Sequence, residues 1–183
     1  MKAYKPTSAG RRDGTVIEYK KKLTSTKSNP LKSLTAGGRS TGGRNNLGRT
    51  TNLNRGGGNK RTYRLVDFKF DKKDVPARVE TIEYDPYRSG FIALVLYKDG
   101  ERRYILVPQQ VAVGDEIITS AEAKPKAGNR LPLGKVPVGT FIFNIELKPG
   151  AGARIARSAG NYAEVVAQDA GYTLVKLPSS EVR

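Results

Sequence analysis

The chain has 183 residues and contains neither cysteine nor histidine. Without cysteine there is no disulfide framework and no thiol nucleophile. Without histidine the usual general base is missing, and the two absences together remove the usual zinc ligands. No apolar run approaches membrane-spanning length. The opening stretch MKAYKPTSAGRRDG lacks the apolar core of a secretory signal, so the expectation is a soluble, intracellular protein. Acid is scarce as well, but only in one part. Residues 1–64 carry sixteen Lys/Arg against Asp13 and Glu18, whereas residues 65–183 carry seventeen against fifteen acids. Nearly all of the formal net charge of +16 therefore belongs to the N-terminal third. Such asymmetry points to a polyanionic partner. Nucleic acid suits it better than an anionic membrane, because the segment has no amphipathic helical stripe and few aromatic anchors. Binding of this kind falls steeply with salt, by roughly 10³-fold or more between low and moderate salt once six or more phosphates are contacted.

The basic segment has a centre. Gly37–Arg64, GGRSTGGRNNLGRTTNLNRGGGNKRTYR, holds eight glycines and seven cations: Arg39, Arg44, Arg49, Arg55, Lys60, Arg61 and Arg64. It contains no acid. Leu47 and Leu53 are its only apolar side chains before Tyr63, too few to offset the entropy of ordering it, so by itself the stretch is expected to be disordered. Along a polyanion it makes sense. Glycine lets the backbone approach phosphates, arginine forks onto phosphate oxygens, and Asn45, Asn46, Asn52, Asn54 and Asn59 can address base edges or sugar hydroxyls. The competing reading is a flexible linker, for which an arginine every five or six residues is unnecessary.

Strand signals begin after Tyr63. Leu65–Phe70 reads as a first strand and Ala77–Tyr84 as a second, with a short strand also expected earlier at Thr15–Tyr19. Phe91–Tyr97 (FIALVLY) is seven apolar residues in a row, the pattern of a strand buried on both faces. Lys98-Asp99-Gly100-Glu101 is a hairpin signal, Arg103–Val107 is the returning strand, and a short strand is expected near Glu116–Thr119. Ala121–Lys135 is a Pro/Gly/Lys connector. Beyond it Thr140–Leu147 alternates, with Phe141, Phe143, Ile145 and Leu147 on one face. Lys148–Ala159 is a second Gly/Arg loop, and Tyr162–Gln168 and Tyr172–Leu177 flank an Asp-Ala-Gly turn. The predicted fold is all-β: a basic Gly/Arg-rich extension (1–64), a five-stranded barrel of the oligonucleotide-binding type (65–125) and a second small β module (126–183), thin for an independent core.

Catalytic constellations are lacking. Asp71/Asp74 and Asp115/Glu116 sit in turn signals and read as solvated acids. Gly56-Gly57-Gly58-Asn59-Lys60 lacks the spacing and the hydroxyl of a phosphate loop, and Ser158 has no base. No catalytic residue, no metal site and no cofactor are expected, and any Mg²⁺ or K⁺ would belong to RNA phosphates. Cationic loops recur instead. Arg102 and Arg103 flank the hairpin turn, Arg88 follows Asp-Pro-Tyr, and Lys148, Arg154 and Arg157 ride on the second Gly-rich loop. Tyr63, Tyr84 and Tyr87 could stack on bases.

Four stretches carry a resemblance: GGRNNLGRTT (42–51), GGGNKRTYRLVDFK (56–69), EYDPYRSGFIALVLYKDGERRYILVP (83–108) and PVGTFIFNIELKPGAGARIARSAGNY (137–162). They resemble the universal second protein of the large ribosomal subunit (the L-two family, bacterial type) almost from end to end. The resemblance implies an oligonucleotide-binding barrel followed by an SH3-like barrel, both on large-subunit ribosomal RNA. It implies a non-catalytic role supporting subunit association, tRNA binding and assembly of the peptidyl-transferase region, in a bacterial cytoplasm or an organelle matrix such as the mitochondrion. Its implied RNA contacts are Arg44, Asn45, Asn46, Arg49, Lys60, Arg64, Arg88, Arg102, Arg103, Arg154, Arg157 and Ser158, with neighbouring ribosomal proteins as further partners. Two features depart from the family pattern. Asn59 stands where relatives have histidine, and the family continues past the position of Arg183, which leaves the second barrel incomplete. Either the sequence is a truncated version or a separate polypeptide supplies the rest, and the second is the expectation favoured, because a half-finished barrel would expose strand edges. The alternative function is a free single-strand RNA-binding or RNA-chaperone module, which would rely on exposed barrel aromatics.

Overall fold

The apolar run at Phe91–Tyr97 determines how the first module is built. The computed structural model describes residues 2–25, 29–38, 40–169 and 171–183. Near the N-terminus β1 (Lys2–Ala3) pairs with β2 (Thr15–Val16), followed by a single helical turn, α1 (Tyr19–Lys22). β3 (Thr35–Gly37) pairs with β4 (Thr62–Arg64). The first barrel comprises β5 (Ala77–Glu83), β6 (Ile92–Tyr97), β7 (Arg102–Leu106) and β8 (Glu116–Ile117), in the antiparallel order β7-β6-β5-β8. The second module holds β9 (Phe141–Ile142), β10 (Ile145–Glu146), β11 (Ala153–Ile155), β12 (Ala163–Asp169) and β13 (Tyr172–Lys176). These form the sheets β13-β12-β9 and β10-β11. The all-β expectation holds, with curled sheets of the oligonucleotide-binding and SH3-like kind.

Side chains alternate across a strand, and β6 uses both faces. Ala93, Val95 and Tyr97 join Ala77, Val79, Ile82, Ile105, Val111 and Ile117 in one core cluster. Ile92 and Leu94 join Tyr104 and Leu106 in another, against which Leu31, Leu34, Val66, Phe68 and Phe143 pack. Ile92, Ala93 and Val95 are wholly inaccessible. Burial of the Ile92 and Val95 side chains contributes about 1.5–3 kcal/mol each. The hairpin forms where Asp99-Gly100 predicts it: Gly100 supplies φ of 88°, and Tyr97 and Glu101 close the turn.

Several expectations are corrected. Leu65–Phe70 is not a strand: only Val66 bridges, in parallel, to Tyr104. The cause is Asp67, whose Oδ1 accepts the N–H groups of Lys69 and Phe70 and turns the chain away. The expected fifth barrel strand is thereby reduced to that single bridge. At Thr15–Tyr19 the strand stops at Val16, and Tyr19 starts the helical turn. Thr140–Leu147 does not run as one strand. Asn144 has φ of 58° and breaks it into β9, which pairs with β12, and β10, which pairs with β11. Phe143 leaves for the first module's core, while Phe141 is 62% exposed. Residues 148–159 are not wholly loop, because β11 lies within them. Of the Asp-Ala-Gly turn, Ala170 lies outside the described residues; β12 and β13 flank the turn as an antiparallel pair as expected, with Asp169 already part of β12. The outer edge of β13 is partly occupied by the chain itself, with Val175 and Arg183 exchanging backbone hydrogen bonds.

The basic extension is also more structured than its composition suggests. Leu23, Leu31 and Leu34 pack onto the two clusters, and the Thr24 hydroxyl accepts the N–H of Ile82 at 2.8 Å. Folded contacts therefore cross the expected boundary at residue 64.

Tyr104 joins these parts. It is fully inaccessible, its hydroxyl donates to Glu83 Oε2 at 3.0 Å, and it accepts the Leu31 N–H at 3.0 Å. Burial pushes its phenol up to about 12. Because the folded value is raised, the unfolded chain releases this proton first. The associated stability is complete below about pH 10 and is lost as pH rises toward 12, a change on the order of 2–3 kcal/mol. Urea unfolding across this range should show the loss. Tyr104→Phe should remove that alkaline step and destabilise the protein by about 1–3 kcal/mol at neutral pH.

Candidate nucleic-acid interface

The Gly/Arg stretch is held at both ends by the β3–β4 ladder, in which Thr35 faces Arg64 and Gly37 faces Thr62. Within the excursion Arg44 bridges Thr50. Asn45 makes the tip: its Oδ1 accepts the N–H groups of Leu47 at 3.0 Å and Arg49 at 2.9 Å. Gly48 (φ 77°) closes the turn on the Asn45 carbonyl. Gly43 (φ 75°) allows the chain to cross itself, since a Cβ there would lie 2.4 Å from the Asn52 carbonyl oxygen. Asparagine and glycine thus supply the conformation, and the loop is preshaped rather than a free tether. Arg44, Asn46, Arg49, Arg55, Lys60 and Arg61 are exposed. No ion pair engages the cations among them within the described residues, and the stretch has no acid to offer.

Two of the expected contacts differ from this pattern. Arg64 is 2% exposed, with Nη1 donating to the Thr62 carbonyl at 2.6 Å. Its chemistry is that of the β4 anchor, not of a surface cation. Asn45 is exposed, but its carbonyl is committed to the turn. Arg39 lies outside the described residues.

A second cationic group assembles from three distant stretches. Asp85 is fully buried; it accepts the Tyr87 N–H at 2.9 Å and pairs with the Arg88 guanidinium. Arg88 lies 5.6 Å from the Phe68 ring centroid and 6.0 Å from that of Tyr63. Arg157, from the loop after β11, lies 3.8 Å from the same Phe68 ring. Tyr63 and Tyr87 meet edge to face at 5.4 Å, and Arg61 reaches the Pro86 carbonyl. Ser89 accepts the Ala159 N–H at 3.2 Å. Lys148, Arg154 and Ser158 are exposed on the second module, and among the described residues no side-chain contact draws them into this group.

The hairpin pair behaves differently. Arg102 is bidentate on Glu80, at 2.8 and 3.0 Å. Arg103 pairs with Asp67, Asp71 and Glu101, while Lys72 pairs with Asp99 and Glu101. Hydrogen bonding to Arg103 holds the Asp71 and Glu101 carboxyls below their ordinary range, as Arg102 does for Glu80. The hairpin end is a neutralised network rather than two protruding cations, and Asp71 is ion-paired rather than simply solvated. The sequence did not expose most of these partners because Glu80, Asp67 and Asp71 lie 22, 36 and 32 residues from the arginines they meet. Sequence reasoning also missed Asp85 and Phe68, although the Asp-Pro-Tyr-Arg turn offered a clue to the first. It missed Arg130 too, which stacks on Phe70 at 4.3 Å and pairs with Glu146 at 2.8 Å.

The loop geometry is testable. Asn45→Ala removes two hydrogen bonds from the tip, so amide exchange at Leu47 and Arg49 should accelerate by about tenfold or more while β5–β7 amides are unchanged.

Two family models match the chain: Ribosomal Proteins L2, RNA binding N-terminal domain, over residues 31–119, and Ribosomal Proteins L2, C-terminal domain, over residues 126–183. Similar curated proteins include the large ribosomal subunit protein uL2 of Granulibacter bethesdensis, 56% identical over 183 residues, all of this chain and 65% of that protein. The protein of the same name from Ruegeria sp. is 55% identical over 183 residues, covering 64% of its length. That of Paracoccus denitrificans is 53% identical, again with 64% covered. The chain thus spans just under two thirds of the length of these relatives.

Proposed function

The chain belongs to the ribosomal protein L2 family, and from that premise we propose that it is a structural constituent of the large ribosomal subunit that binds large-subunit rRNA. In this reading it supports subunit association, tRNA binding and assembly of the peptidyl-transferase region without catalysing chemistry. On the same reading it uses no cofactor or metal site of its own, and any Mg²⁺ or K⁺ bound beside it belongs to RNA phosphates. Its partners are rRNA and neighbouring ribosomal proteins, and its location is the ribosome. The observation that carries the reading is the acid-free loop between β3 and β4, whose exposed cations have no carboxylate partner among the described residues and whose backbone is already shaped by Asn45 and Gly43. A preshaped loop loses less entropy on binding than a disordered one. Arginine forks on such a loop fit phosphate oxygens.

The test is binding of the chain to in-vitro-transcribed large-subunit rRNA over a salt series, joined to sedimentation of tagged protein from cells. Replacing Arg44, Arg49 and Lys60 together by Ala should lower the slope of log affinity against log salt by about three and weaken binding by 10- to 1000-fold, on the order expected for three phosphate contacts. Arg102→Ala, which removes a cation already paired with Glu80, should change affinity by less than about twofold. The tagged protein should cofractionate with large subunits in stoichiometric amount through a high-salt wash. Equal effects of the loop and hairpin substitutions, or release at high salt, would count against the reading.

A further inference from the structure

Phe68 occupies a position that charge and composition do not signal. Its side chain packs on the cluster formed by Ile92, Leu94, Tyr104 and Leu106 in the first module. Its carbonyl accepts the Ala153 N–H of the second module at 2.8 Å. Gly152 is needed for that approach, since a Cβ there would sit 3.2 Å from the Phe68 oxygen on a residue with φ of 84°. The same ring carries Arg157 at 3.8 Å and Arg88 at 5.6 Å. Two guanidiniums, one from each module, therefore converge on one aromatic ring. Arg88 has Asp85 as its carboxylate. Arg157 has no carboxylate partner among the described residues; its one protein hydrogen bond is a long contact to the Ala153 carbonyl at 3.5 Å. Cation–π attraction holds a guanidinium flat while leaving its N–H edge free for another ligand. Like charges gathered in this way are stabilised by an anion between them.

Resting on the rRNA-binding reading above, we propose that Phe68 is a positioning residue: its ring aligns Arg157 with Arg88 so that the docked modules grip one stretch of RNA phosphate together. The ring itself touches no phosphate. It sets the direction of the Arg157 fork, and the Phe68–Ala153 backbone bond fixes the distance between modules. RNA affinity at this point depends on the ring and on the planar guanidinium, not on positive charge alone.

The experiment uses the full chain and in-vitro-transcribed large-subunit rRNA, with urea unfolding of every variant as a check on folding. Phe68→Leu keeps apolar bulk but removes the ring. It should weaken binding about tenfold and lower the salt slope by about one, as Arg157→Ala should. Combining the two substitutions should add little to either alone. Phe68→Tyr should bind within about twofold of the unaltered chain. Arg157→Lys, which keeps the charge and leaves the core untouched, should still lose about fivefold or more because an ammonium has no fork to align. This variant decides the matter if Phe68→Leu fails to fold. Unaltered affinity and salt slope in a folded Phe68→Leu protein, strict additivity with Arg157→Ala, or normal binding by Arg157→Lys would each overturn the proposal. Absence of salt-dependent rRNA binding by the unaltered chain would instead overturn the reading on which it rests.

Discussion

Burial of β6 on both faces is the constraint on which the rest of the structure depends. A strand with one wet face needs one partner layer, but Ile92–Tyr97 has apolar side chains pointing both ways and requires cover on each. On one side β5, β8 and the segment around Val111 provide it. On the other the cover comes from Leu31 and Leu34, from Phe68, and from Phe143 of the second module. Anchoring of the basic loop and docking of the two modules therefore draw on one apolar surface. Tyr104 adds a polar tie to the same surface, joining Leu31 to Glu83 through a single hydroxyl.

That arrangement explains how an acid-free, glycine-rich stretch keeps a shape. Its own side chains bury almost nothing, Leu47 and Leu53 being 74% and 77% exposed. Its ends are tied by the β3–β4 ladder, which the half-buried Leu31 and Leu34 before it hold against the barrel. Local polar bonds then suffice inside the loop. Asn45 and Gly43, residues that would otherwise suggest flexibility, make the turn and the self-crossing that orient the arginines.

Cations of one type end in different electrostatic settings. Arg44 and Arg49 stand without carboxylates among the described residues, whereas Arg102 is matched to Glu80 and Arg103 to Asp67, Asp71 and Glu101. Exposed ion pairs contribute little to stability, so the network at the hairpin end matters more for the field it cancels. It leaves one end of the first barrel near neutral, while the acid-free loop and the Phe68 region carry the unbalanced positive charge. A partner with a dense line of phosphates would experience that difference over about a Debye length of 10 Å.

Much of this was present in the linear sequence. The doubly buried strand, the Asp-Gly hairpin, the all-β class and the acid-free cationic segment follow from runs, spacings and charge, because those signals act over a few residues. Family membership was legible from long continuous matches. The sequence did not disclose that Asp67 would turn the chain out of the expected strand, or that Asn144 would divide β9 from β10. Asp67 acts through local bonds to Lys69 and Phe70 that compete with strand pairing, whereas Asn144 is held by Ala156 and Arg130, partners that only the folded chain provides. Nor could it separate the exposed Arg44 from the buried Arg64 or the paired Arg103, since an arginine's role is decided by which carboxylates, rings and carbonyls surround it. Residue type determined that the protein is cationic and β-rich; tertiary packing decided where the positive charge stays unmatched, because desolvation and pairing depend on neighbours brought from far along the chain.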